Sequence, residues 1–316
     1  MAGSNNTVVG VACGIGAGAL WGLVFLAPAL VHEFGPLHLT IGRYLFYGLF
    51  SALLIAPLLR GLLPRLGRRE WLALVWLALA GNVVYYLLLS AAVQSGGIAM
   101  TSLVIGFLPV AVTIVGSRDQ GAVPLRRLRP SLALCVAGAL CIGWQALAMP
   151  ASGSVSRQLL GLGCAVGALV SWTCYAVGNS RWLVRLDHVS VHEWNLLTGL
   201  VTALLTVALI PLAVLLSPEP QNGAAWAKLI GVSAGVALVA SIIGNALWNR
   251  MSRLLPLTLV GQMILFETLF ALVYGFLWDA RWPTLLEAAA FVLAIASVVT
   301  CLAAHRRPTL QQVVAH

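Results

Sequence analysis

Glu267 and Arg43 are charged residues set inside helix-length apolar runs, where hydrocarbon would otherwise exclude them. Ionisable side chains at such places face a pathway, a partner or water, because burying a lone charge in lipid is costly. Glu267 falls about 11 residues into its run, roughly 16 Å deep at 1.5 Å per residue, close to the middle of a bilayer. A carboxyl group there stays neutral unless it meets a cation or water, which suits a group that exchanges a proton for a cationic or zwitterionic solute. The competing reading is a permanently protonated glutamate bonded to a neighbouring helix carbonyl. Arg43 lies about six residues into its run, roughly 9 Å below the nearer surface. Its long stem could snorkel to the headgroups. Its planar fork could instead clamp a solute carboxylate or pair with Glu267, whose height differs by only about 5 Å.

Around these charges the sequence offers rings and amides. Trp21 and Trp172 take equivalent mid-helix places on two similar glycine-rich segments, and Tyr85 and Tyr86 lie together in the middle of another run. Such rings can pack in a core, or stack against the apolar or cationic part of a solute. Asn245 and Gln262, like Asn82 and Asn249, bring amides into apolar runs. Buried amides must be hydrogen-bonded, either as glue between helices or to a solute. The expected solute site therefore comprises Trp21, Arg43, Tyr85, Tyr86, Trp172, Asn245, Gln262 and Glu267. Trp71, Trp76, Trp226, Trp278 and Trp282 sit near run ends and read as interfacial belt residues.

The elements that must position these residues are membrane spans. The 316 residues are 60% hydrophobic and 9% charged, with a mean hydropathy of +0.96. A soluble globule carries about a quarter charged residues, so the chain is an all-α integral membrane protein. Ten spans of about 20 residues are expected at roughly 8–30, 37–59, 71–92, 97–117, 131–149, 159–180, 190–216, 227–248, 256–278 and 283–304. Gly96-Gly97 and Pro256 occupy matching places where the fourth and ninth spans begin, and are expected to interrupt the helix as hinges or tight turns.

The spans repeat. CGIGAGALWG (13–22) aligns with CAVGALVSWT (164–173), placing Cys13, Gly16, Ala17 and Trp21 on Cys164, Gly167, Ala168 and Trp172; the same offset carries GLFSALL (48–54) onto GLVTALL (199–205). A constant register through two successive helices indicates an internal duplication. Five spans per copy means that the second copy starts from the opposite side of the bilayer, so the two are inverted. The expected organisation is a first five-helix repeat at 1–149, a periplasmic linker at 150–158, a second repeat at 159–305 and a cytoplasmic tail at 306–316. Inverted repeats are a recurring architecture of secondary transporters, since two similar halves supply two near-equivalent conformations, one open to each side. The last helix of each half is rich in small residues, Ala133, Ala137 and Cys141 in one and Ala290 and Ala294 in the other, and these two helices are expected to pack together as a seam.

Of the 18 basic residues, 14 fall in the loops and tail on one side, three (Arg157, Lys228 and Arg281) on the other, and Arg43 within a span. Excess Lys and Arg mark the cytoplasmic side, so both termini are expected to be cytoplasmic. The basic residues are spread over separate loops, which excludes a nucleic-acid interface. All six cysteines lie singly in spans without a C-x-x-C pair, so neither disulfides nor a metal site is expected.

The tryptophan in the first helix of each half, the Arg43-Tyr44 pair early in the second, and the matched GFLPVAVTIVG (106–116) and LFETLFALVYG (265–275) resemble the drug/metabolite transporter superfamily with paired EamA-type repeats. The resemblance covers nearly the whole chain and implies a ten-helix transporter. GALVSWTCYAVGN (167–179) and Tyr85-Tyr86 are similar to the aromatic amino-acid exporter branch, which implies that Tyr85, Tyr86 and Trp172 line a central cavity. Leu108 stands before Pro109 where the family often carries an aromatic, so the solute need not be aromatic.

The function expected is secondary transport of a small metabolite, amino acids foremost, outward across a bacterial inner membrane by alternating access. Uptake of a cationic nutrient such as a quaternary amine is the alternative. A proton is the candidate coupling ion. Membrane lipid is the expected surrounding, a single copy the expected transport unit, and no cofactor is expected: the chain has no phosphate-cradling G-x-x-x-x-G-K-[ST] loop. A membrane-embedded enzyme would need a cluster of acid and base groups at one depth; His188, His192 and Glu193 form the only such grouping and read as an interfacial helix end.

Overall fold

The computed structural model describes residues 2–31, 33–147, 155–216, 222–278, 280 and 282–306, so most of the expected linker 150–158 and nearly all of the tail 306–316 lie outside it. Among the described residues every regular element is helical. The main helices are α1 (Ala2–Gly22), α2 (Pro36–Ile55), α3 (Arg68–Ala78), α4 (Val84–Ile105), α5 (Leu108–Gly116), α6 (Leu125–Leu147) and α7 (Val155–Arg185). They are followed by α8 (Val191–Val207), α9 (Gly223–Val236), α10 (Asn245–Leu254), α11 (Leu257–Met263), α12 (Leu265–Trp278) and α13 (Leu285–Arg306). Among the described residues, six stretches are long and apolar enough to cross a bilayer: Leu37–Ile55, Arg68–Leu89, Val155–Arg185, Gly223–Leu254, Leu257–Trp278 and Leu285–His305. The pair Val191–Val207 and Ile210–Leu216, bent by 43°, makes a seventh. These are fewer than the ten spans expected from sequence.

One difference lies at Gly96-Gly97, where α4 runs without interruption from Val84 to Ile105 and the ladder breaks later, at Gly106-Phe107. Glycine weakens a helix by about 1 kcal/mol but keeps its N–H. Proline lacks that donor and clashes with the carbonyl four residues back, so Pro109 sets the break one turn before itself. Pro256 interrupts the chain as expected, between α10 and α11.

The strongest pairings each join a helix from before residue 148 to one from after 155: α4 on α7, α6 on α13, α2 on α8, α1 on α12 and α5 on α11. Lipid offers no hydrophobic drive between helices, so such pairs depend on close van der Waals contact through small residues. On α1, a Cβ at Gly18 would stand 2.6 Å from Phe266 Cβ and 2.8 Å from Glu267 N, and one at Gly22 would stand 2.9 Å from Ala271 N. Glycine there brings α1 against the backbone of α12.

The helices α6 and α13 do pack together, but on a different face of α6 from the one expected. Ala133 is exposed, while Ser131, Cys135 and Gly138 face the seam with Ala290 and Ala294. Ser131 Oγ lies 2.9 Å from Ser297 O, and Ser297 Oγ lies 2.7 Å from Ser131 O. These reciprocal hydroxyl contacts rotate α6 so that its serine, rather than its alanines, meets α13.

Candidate functional site

Two π-helical segments bend the ladder beside the expected site: Leu79–Val83 between α3 and α4, and Ala237–Gly244 between α9 and α10. A π turn slips the i→i+4 register, and a carbonyl released in hydrocarbon needs another donor. Side chains add donors here, at Ala240 O and Ile242 O beside the Asn245 backbone N–H. Trp21 Nε1–H donates to Ala240 O at 3.1 Å and Asn195 Nδ2 to Ile242 O at 3.1 Å. On the other segment, Ser171 Oγ donates to Ala80 O at 2.8 Å. The donors Trp21 and Ser171 come from the glycine-rich helices α1 and α7, whose segments match in sequence.

Trp21 anchors an aromatic cluster. Its ring lies 5.0 Å from Trp248 and 6.3 Å from Trp172, and those two lie 5.5 Å apart, centroid to centroid. Trp172 reaches Tyr175 at 5.9 Å and Tyr85 at 6.4 Å; Tyr85 meets Tyr86 and Tyr86 meets Tyr44, both at 5.5 Å. Asn245, the first residue of α10, accepts a second hydrogen bond from Trp21 Nε1 at 3.2 Å.

Arg43 turns inward and does not snorkel. It is buried, with its guanidinium 5.0 Å from the Tyr86 ring centre and 5.4 Å from that of Tyr44. Its Nε–H donates to Ser241 Oγ at 3.1 Å and Nη1 donates to Tyr86 Oη. Nη2 makes no hydrogen bond among the described residues. Glu267 is half-buried, in the first turn of α12 and beside Gly18. It lies within electrostatic reach of Arg43 and Tyr85, but among the described residues it makes no ion pair or hydrogen bond through its carboxylate. The site thus brings a carboxyl group and a guanidinium near one aromatic cluster without a direct bond between them.

The fold therefore gathers Trp21, Arg43, Tyr85, Tyr86, Trp172, Asn245 and Glu267. Gln262 is placed elsewhere, fully buried between α5, α6 and α13: its Oε1 lies 2.9 Å from Ser297 Oγ and 3.2 Å from Ser131 Oγ, and its Nε2 donates to Thr113 Oγ1 at 3.3 Å. With those partners its amide serves as helix-to-helix glue. Asn82 does likewise, donating to Thr202 Oγ1 at 3.0 Å. Glu193 closes a capping box with Ser190 at the start of α8, with N–H to oxygen distances of 2.7 and 3.1 Å, which accounts for the one acidic and basic grouping that could have suggested catalysis.

Sequence reasoning missed Tyr44, Tyr175, Ser241 and Trp248. Tyr175 and Trp248 each follow an expected site residue by one helical turn, Trp172 and Asn245, a spacing that could have flagged them. Ser241 carries no comparable signal, because its direction depends on the π segment.

Comparisons with known proteins agree with this architecture. Residues 8–144 match the EamA-like transporter family. The chain is 32% identical over 311 residues to "Inner membrane protein YtfF" of Escherichia coli (strain K12), covering 94% of this chain and 96% of that protein. A solved crystal structure shares the fold with a TM-score of 0.73 at 20% identity, over 96% of this chain and 98% of that one. A multi-pass helical chain with this degree of similarity along nearly its whole length belongs to the EamA-like transporter family, and so is a membrane transporter and not an enzyme.

Proposed function

We propose that this is a secondary transporter moving small zwitterionic metabolites, amino acids foremost, outward by alternating access. The observation that carries the reading is the pair Arg43 and Glu267, held at one aromatic wall without a bond to each other. A zwitterion brings a carboxylate for the free guanidinium nitrogen and an ammonium for the carboxylate, and charge-assisted hydrogen bonds of this kind are strong at low dielectric. Between solutes, Glu267 is free to hold the coupling proton. Tyr85, Tyr86 and Trp172, which resemblance to the aromatic amino-acid exporter branch assigns to the solute wall, belong to the same ring cluster.

The two halves, 1–149 and 159–305, are proposed as the inverted units that rock against each other. Paired π segments and the cross-half helix pairs support that reading. The relative's name places YtfF in an inner membrane, and we assign this chain to the same membrane as a monomer, with both termini in the cytoplasm. Uptake of a quaternary amine is disfavoured: Arg43 already occupies the faces of Tyr44 and Tyr86 and would repel a permanent cation.

The test is counterflow in proteoliposomes with labelled amino acids beside labelled quaternary amines. Accumulation of amino acids alone supports the proposal. Accumulation of the amines alone replaces it with the cationic reading.

A further inference from the structure

We propose that Tyr44 Oη and Trp248 Nε1 are hydrogen-bond donors reserved for oxygen atoms of the transported solute, Tyr44 with Arg43 for its carboxylate and Trp248 for an acceptor on its side chain. This rests on the solute site proposed above and narrows its substrate class to amino acids whose side chains carry a hydroxyl or carbonyl oxygen.

Several donors in and beside the cluster are already committed. Trp21 Nε1 is shared between Ala240 O and Asn245 Oδ1, Tyr47 Oη is bonded to Asn195 at 2.7 and 2.8 Å, and Trp194 Nε1 donates to Asn179 Oδ1 at 3.1 Å. Tyr44 Oη and Trp248 Nε1 differ: both side chains are buried, at 0% and 2% exposure, and neither polar atom has a hydrogen-bond partner among the described residues. Buried polar groups are almost always paired, so each exception calls for an explanation.

The other unpartnered groups have a local remedy or a different setting. The hydroxyls of Ser51, Ser233 and Ser252 lie on helices, where a rotation about χ1 brings them to the carbonyl four residues back. His38 packs instead against Phe34 and Trp226, outside the aromatic cluster of the site. A tyrosine or tryptophan carries its donor at the far tip of a rigid ring and cannot fold back onto its own helix.

Both rings belong to the site. The Tyr44 ring touches Tyr86 and carries the Arg43 guanidinium on its face, while Trp248 packs between Trp21 and Trp172. The two rings thus belong to different parts of one aromatic cluster, with Arg43 over Tyr44 and Tyr86. A solute with a carboxylate and a side-chain oxygen offers an acceptor to each.

Threonine and valine, nearly isosteric but differing by one hydroxyl, provide the test when counterflow KM is measured for wild type, Tyr44→Phe and Trp248→Phe. Wild type is expected to prefer threonine at least tenfold. Tyr44→Phe should raise KM for both solutes about tenfold while the melting temperature in detergent stays level or rises, because only an unpaired hydroxyl is lost. Trp248→Phe should abolish the preference for threonine. Should Trp248→Phe fail to fold, the wild-type preference and Tyr44→Phe decide. Unchanged KM in Tyr44→Phe, or equal affinity for threonine and valine in wild type, overturns the inference while leaving amino-acid transport standing. A wild type that moves no amino acid removes the underlying reading instead.

Discussion

The indole N–H of Trp21 crosses from α1 to the Ala240 carbonyl, 3.1 Å away, inside a π-helical stretch of the chain's other half. The same nitrogen reaches Asn245 Oδ1 at 3.2 Å, so one donor ties together the slip in the ladder and the helix that resumes beyond it. Gly244 makes room for the ring, since a Cβ there would stand 2.9 Å from Trp21 Nε1.

Trp21→Phe keeps a ring but removes the donor that Asn245 Oδ1 accepts and that adds to the Asn245 backbone N–H at the Ala240 carbonyl. Losing a hydrogen bond of this kind costs about 0.5–1.5 kcal/mol. The melting temperature of the purified protein should fall accordingly, and transport should fall with it. A melting curve unchanged from wild type would mean that the indole only fills space.

Arg43→Lys conserves the charge and loses the arrangement. Lysine cannot donate to Ser241 and Tyr86 from a planar fork while covering the Tyr44 and Tyr86 rings. Hydrogen bonds to charged groups are worth about 1.5–3 kcal/mol, so KM should rise about ten- to a hundredfold. Counterflow over a range of solute concentrations measures it, and a variant with wild-type KM would show that the guanidinium geometry is dispensable.

Glu267→Gln keeps shape and removes the titratable group. Equilibrium counterflow should persist at reduced affinity for ammonium-bearing solutes, whereas accumulation driven by an imposed pH gradient should disappear. If the variant still accumulates solute in response to that gradient, Glu267 does not carry the proton.

Gly18→Ala inserts a methyl 2.6 Å from Phe266 Cβ, where α1 and α12 meet. Overpacking a close interface costs about 1–3 kcal/mol. Gly235→Ala, with nothing within 4 Å of the added carbon, should be neutral or stabilising by about 0.5–1 kcal/mol. Thermal unfolding of the two variants side by side separates the two outcomes.

Several residues of the site were legible because their chemistry conflicts with hydrocarbon. Arg43 and Glu267 stand out in any apolar run, and the matched positions of Trp21 and Trp172 marked them as a pair before any contact was known. Gln262 was equally conspicuous, yet an amide's role depends on which helices adjoin it, and only the packed structure brings Ser131, Ser297 and Thr113 to it. Trp248 resembled one more apolar ring, since an unpaired donor is a property of its neighbours rather than of its type. At Gly96-Gly97 the local signal misleads: two weak helix formers suggest a break, while the decisive loss of a donor lies at Pro109. A π slip leaves no mark of its own in the sequence, because every side chain in Ala237–Gly244 suits an ordinary helix.

The π segment at Ala237–Gly244 separates the phasing of the two ends of one long rod. Upstream, α9 follows α2, with Ser233 against Gly42; downstream, α10 follows α1, with Met251 against Gly14. Each α-helical residue advances by about 100°, so gaining or losing a single residue of register would turn the far end by nearly a third of a revolution. The rod can thus keep its grip on α2 at one end while the face it presents to α1 is set independently at the other.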